Sequence, residues 1–152
     1  MKRLYAWLVL GAVISMAGCG RDYATDLVKR TEMQAVARAS FEVEPVNEKT
    51  FAGYFERDGK YLSIGEVMSS VTDGGRSKWK FSELTDAVYL VEVDIVPGIV
   101  ETPIKVSFRA NVETGEVTIV DLTIEHATGE QTTGMSFDQY TQLDRYMRIG
   151  GR

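Results

Sequence analysis

Cysteine is almost absent. In 152 residues there is one, Cys19, so no disulfide can form within the chain and its core must hold by packing alone. Histidine is equally scarce, with His126 the single example. One imidazole and one thiol leave zinc only carboxylates as further ligands, and leave a serine or cysteine nucleophile a single candidate base. There are three prolines, and internal repeats and low-complexity runs are lacking, which argues for a folded domain rather than a disordered stalk. Positive charge is in deficit, with 17 Lys and Arg against 22 Asp and Glu. That balance disfavours nucleic acid and supplies no polybasic patch for anionic lipid.

What is present begins at the N-terminus. Lys2 and Arg3 precede an apolar stretch, Leu4 to Ile14, interrupted only by Gly11, and the small residues Ser15, Ala17 and Gly18 follow. This order of charge, apolar run and small residues is that of a secretory signal, and the run is too short for a comfortable membrane span. The segment Met16-Ala17-Gly18-Cys19 resembles the lipobox of bacterial lipoproteins, with Met16 where Leu is usual. Met has similar volume and flexibility, so the departure is mild. The resemblance implies cleavage before Cys19 and a thioether-linked diacylglycerol on its sulfur, which would give the unpaired thiol a use. Each buried methylene adds about 0.8 kcal/mol, so two or three acyl chains would anchor the protein permanently. Gly20, standing where an Asp favours inner-membrane retention in such lipoproteins, implies the outer membrane, with the domain facing the periplasm.

The expected organisation is a leader at 1–18, a lipidated cysteine and short tether at 19–24, and one domain at 25–152. Without the leader's two basic residues the balance is 15 basic against 22 acidic. A helix is predicted over Thr25 to Ala39, with Leu27, Val28, Ala35, Val36 and Ala39 on one face. Phe41 to Asn47 reads as extended or loop, with Pro45 blocking helix, Phe51 to Phe55 as a short strand, and Arg57 to Lys60 as a turn. Ser63-Ile64-Gly65-Glu66 matches a capping box opening a short helix, which buries Ile64, Val67, Met68 and Val71 and stops at Asp73-Gly74-Gly75.

The period then changes to two. Trp79 and Phe81 share a face of one strand. The next, Val88 to Val96, turns Tyr89, Val91, Val93 and Ile95 one way and Glu92 and Asp94 the other. Ile104 to Val112 places Ile104, Val106, Phe108, Ala110 and Val112 inward, with Lys105, Ser107, Arg109 and Asn111 outward. Val117 to His126 is expected to place Val120, Leu122 and Ile124 inward. Opposed residues must share a face, so a three-residue loop, Glu113-Thr114-Gly115, is predicted to pair Phe108 with Val120 and Val106 with Leu122, with Gly115 in the left-handed region. Ser136 to Gln139 matches a second capping box, opening a C-terminal helix with Phe137, Tyr140, Leu143 and Met147 at helical spacing.

The whole reads as an α+β domain: an antiparallel sheet of about four strands with helices on one face and a C-terminal helix. The piece from Ile64 through the Trp79 strand to the Gly115 hairpin resembles, in element order, the small lipoproteins of outer-membrane assembly and the β-lactamase-inhibitor-like fold. The cystatin-like arrangement fits as well. No combination of residues makes a catalytic set, and neither cofactor nor metal is expected. Gly74-Gly75-Arg76 lacks the spacing of a phosphate loop. Glu92, Asp94, Asp121 and Glu125 could bind calcium or do acid/base work, but cross-strand pairing with Lys105 and Arg109 accounts for all six charges without a site. Trp79 and Phe81 are either core or an aromatic contact patch. The expected function is a non-enzymatic, lipid-anchored module that binds another envelope protein, a reading that includes an inhibitor of another enzyme. The alternative is a binder of a small apolar ligand or lipid in a cavity between sheet and helices.

Overall fold

The computed structural model describes residues 23–40, 53–98, 102–125, 131–133 and 137–150. Cys19, the stretch from Phe41 to Asn47, His126 and Ser136 lie outside the described residues. Four helices are described: α1 (residues 23–30), α2 (Met33–Ser40), α3 (Ile64–Thr72) and α4 (Phe137–Gly150). A two-stranded ribbon, β1 (Glu56–Arg57) with β2 (Lys60–Tyr61), precedes α3. The main sheet is antiparallel in the order β3 (Arg76–Glu83), β4 (Val88–Val96), β5 (Ile104–Asn111), β6 (Val117–Glu125) and β7 (Gln131–Thr133). The expected α+β architecture is present; the main sheet has one short strand more than anticipated, and a two-stranded ribbon stands where one short strand was expected.

The expected first helix is two. The chain breaks at Thr31-Glu32, where the backbone turns to residues 62–64: Met33 N–H donates to Leu62 C=O at 3.0 Å and Ile64 N–H to Thr31 C=O at 2.8 Å. The break resets the helical phase. Ala24, Leu27 and Val28 are buried in α1, and Met33, Val36 and Ala37 in α2. Ala35 and Ala39, expected inward, face solvent for this reason. Ala24, assigned to the tether, is fully buried, so the folded domain already includes α1 from residue 23. The strand expected to end at Phe55 starts instead at Glu56, because residues 53–55 form a turn with Phe55 at φ 53°. The turn between Arg57 and Lys60 is as read, with Asp58 and Gly59 both at positive φ, as a tight two-residue hairpin requires.

The capping box on α3 is complete. Ser63 Oγ accepts from Glu66 N–H at 3.2 Å, and Glu66 Oε2 accepts from Ser63 N–H at 2.8 Å. After α3 the backbone turns closely past Val96–Gly98. A Cβ on Gly75 would overlap the carbonyl oxygen of Val96 and lie 2.6 Å from the Gly98 nitrogen, so that crossing needs glycine.

The core lies between the sheet and the helices. Val91, Val93, Ile104, Val106, Phe108, Leu122 and Ile124 from the sheet pack with Ile64, Val67, Met68, Tyr140, Leu143 and Met147. In the β5–β6 hairpin Val106 pairs with Leu122, as read, and Gly115 has φ +77°. Phe108, however, pairs with Ile119 and not with Val120. The loop is one residue longer than expected, since Asn111 still pairs with Glu116 through Asn111 N–H to Glu116 C=O at 2.9 Å. A bulge at Val120 restores the face alternation beyond it. Ile119 and Val117 therefore point inward, and Val120 is 49% exposed.

Candidate functional site

The helices cover β4, β5 and β6 and stop short of β3. Trp79 and Phe81 lie opposite Val93 and Val91, so they occupy the core side of the sheet. The two diverge in burial: Trp79 packs partly against the core, whereas Phe81 is 41% exposed. Leu84, at the mouth of the β3–β4 turn, is 53% exposed. Core packing was thus half right for Trp79 and wrong for Phe81, because the sheet reaches one strand further than the helices. No other described strand pairs with the outer edge of β3. Lys29 Nζ of α1 stands 4.9 Å from the centre of the Trp79 ring, closing one side of the patch with a cation–π contact. Between α3 and β3 runs a groove of about 610 Å³ lined by Lys29, Gly65, Met68, Thr72, Ser77 and Trp79. The sequence signal for this surface was the alternation Lys78-Trp79-Lys80-Phe81. The missing signal was helix coverage, which depends on tertiary packing.

The outer sheet face carries the charges. Lys105 Nζ meets Glu92 Oε1 at 3.0 Å, and Lys80 Nζ meets Asp94 Oδ2 at 2.6 Å. Ser107 Oγ also donates to Glu92 at 3.3 Å. The hydrogen bond and charge of Glu92 raise the Lys105 pKa above its ordinary value. The pairing differs from the expected one. Asp94 takes its cation from β3, and Arg109 stands opposite Leu90 and Thr118, away from the carboxylates. Asp121 accepts from Thr123 Oγ1 at 3.0 Å, and neither Asp121 nor Glu125 has an ion pair among the described residues. Pairing therefore accounts for part of this face, not for all six charges. A shallow concavity of about 860 Å³ includes Lys78, Asp94, Lys105, Asp121 and Glu125, with both signs interleaved. Among the described residues no cluster of three or more His, Cys, Asp or Glu could hold a metal.

A third polar centre escaped the sequence reading. Asp144 of α4 is buried, with Oδ1 accepting from Phe55 N–H at 2.8 Å and Oδ2 from Arg148 Nε at 2.8 Å. Arg148 also donates to Gly53 C=O. This carboxylate ties α4 to the turn before β1, and every described partner is structural. Tyr140 is fully buried, and burial raises its phenol pKa well above the tyrosine range, with a Ser40 hydrogen bond opposing in part. It stays protonated and is unsuited to acid/base work near neutral pH.

The chain matches no family model, no curated protein and no solved structure. No described helix is long and apolar enough to cross a membrane.

Proposed function

We propose that this protein is a non-enzymatic interaction module of the bacterial envelope, held at the outer membrane by lipid on Cys19 and binding another envelope protein through the β3 side of its sheet. The observation that carries the reading is the combination of a filled core with an aromatic edge left outside it. Val91, Val93, Val106, Phe108 and Ile124 are all fully buried against the helices, which supports a packed interior over a ligand cavity. Phe81 meanwhile exposes apolar surface beside a half-buried Trp79 on the core side of the sheet, the composition of a contact patch. The lipobox-like leader supports the anchor and the compartment.

The test is photocrosslinking in the native envelope from single positions spread over β3, the outer sheet face and α4, followed by identification of the adduct. The module reading expects one reproducible partner crosslinked from neighbouring positions. Absence of a protein adduct from every face, together with co-purification of a lipid or other apolar molecule, would favour the ligand-binding alternative.

A further inference from the structure

Resting on that module reading, we propose that β3 receives an extended acidic segment of the partner, which adds to the sheet as a further strand beside it. Three features converge on this edge. First, β3 is eight residues long and pairs with β4 along its whole length, while no described strand takes the hydrogen-bonding groups on its other side. Such an edge is a template for strand addition. Second, a strand laid about 4.8 Å from β3 would send alternate side chains to the core side of the sheet. There a mixed groove lies open to receive them, offering Met68 and Trp79 as apolar surface among Lys29, Thr72, Asp73 and Ser77, with Phe81 exposed further along the strand.

Third, charge selects the occupant. The outward positions of β3 are Arg76, Lys78 and Lys80, three cations on one edge of a chain that is acidic overall. Lys80 is engaged by Asp94, whereas Arg76 and Lys78 have no ion pair among the described residues. A second copy fits poorly. Antiparallel self-pairing centred on Trp79 sets Lys78 against Lys80, and centred on Lys80 sets that lysine against itself. Like charges directly opposite are unfavourable. Edge lysines guard against indiscriminate pairing for the same reason. A segment alternating carboxylates with apolar residues meets both demands, acidic groups toward Arg76 and Lys78 and apolar groups into the groove.

The experiment uses the full chain in detergent micelles and a synthetic nine-residue peptide alternating Glu with Val and Ile. Controls are the same peptide with Lys for Glu, and with N-methyl groups on alternate amides. Hydrogen exchange should slow across residues 76–83 with the acidic peptide alone, and added salt should weaken binding. Arg76→Glu combined with Lys78→Glu should cut affinity for the acidic peptide at least tenfold and confer affinity for the Lys peptide, with an unchanged melting temperature showing that the fold is intact. Equal binding of both peptides, protection elsewhere than β3, or no protection at millimolar peptide would overturn the proposal. Envelope crosslinks through other faces, with β3 unprotected, would sink the edge proposal and leave the module reading standing. No protein crosslink from any face would sink the module reading itself.

Discussion

Asp144 shows how much one side chain can hold. It accepts from the buried backbone of Phe55 and from Arg148, and so fixes a turn in which Phe55 adopts φ 53°, a conformation a bulky residue rarely takes. Leu62 N–H closes the same turn by donating to Phe55 C=O at 2.9 Å. Asp144→Ala would leave the buried Phe55 amide without its acceptor and remove one of the acceptors of Arg148. The expected cost is about 2 kcal/mol, read from the denaturant midpoint. Asp144→Asn, which keeps an acceptor, should cost less. Nothing in the sequence marks this residue, because its partner lies 89 positions away and only the fold brings them together. The Ser63 cap is the opposite case: both halves of the box sit three residues apart and were legible from the sequence alone.

That cap also sets a pH dependence. The Ser63 backbone N–H, which donates to the Glu66 carboxylate, is the main reason that its pKa falls below the ordinary 4.5. A carboxylate whose pKa is lower folded than unfolded contributes stability that is full above its unfolded pKa and is lost as pH falls through the folded one. The parent should therefore be more stable than Glu66→Gln at pH 7, and the gap in melting temperature should close between about pH 5 and pH 3. A gap that persists at pH 3 would mean that packing, not charge, carries the difference. Ser63→Ala should cost about 1 kcal/mol at neutral pH.

At the scale of elements, the β5–β6 hairpin separates what pattern can fix from what it cannot. Parity correctly joined Val106 to Leu122 and required positive φ at Gly115. It failed for Phe108, because two one-residue irregularities compensate: a longer loop and the bulge at Val120. The signal for the longer loop was Asn111, whose Oδ1 accepts from Glu113 N–H at 3.0 Å and Thr114 N–H at 3.2 Å, stabilising the extra turn residue. Gly115→Val is expected to cost about 1 kcal/mol or more, since a β-branched side chain resists φ +77°. Val120→Thr should change stability by no more than about 0.5 kcal/mol, whereas Ile119→Thr, on the buried side of the bulge, should cost several times that. The opposite ranking in urea unfolding would restore the simpler register. The break at Thr31-Glu32 was illegible for a related reason: helical periodicity runs through it, and its cause is a backbone contact with residues 62–64.

Among the described residues, the domain has one sheet face covered by helices except along β3 and one face of mixed charge. Glu92 and Asp94 are held by Lys105 and Lys80 with side chains partly open to solvent. Exposed pairs are typically worth about 0 to 1 kcal/mol each. Replacing Glu92 with Gln and Asp94 with Asn together should therefore shift stability only modestly, the larger share coming from Glu92, which also accepts from Ser107. Calcium should leave the melting temperature of parent and double variant alike. A calcium-dependent rise in the parent that the variant lacks would make this face a binding site after all.

The proposed anchor would act at the same scale. With residue 23 already within α1, a lipid on Cys19 would lie within about 14 Å of extended chain from the folded domain. The domain would then work close against the bilayer surface, and its partner would have to reach β3 there rather than across the periplasm. Cys19→Ser should move the protein from the membrane fraction to the soluble one, or leave it uncleaved with its leader attached. The released domain should keep its melting temperature, because its core draws nothing from the lipid, and should still bind the acidic peptide. Crosslinking in the envelope should fall nonetheless, since the released domain would no longer be concentrated at the membrane surface. A processed, unlipidated Cys19→Ser chain that stays with the membrane would place the anchor elsewhere in the sequence.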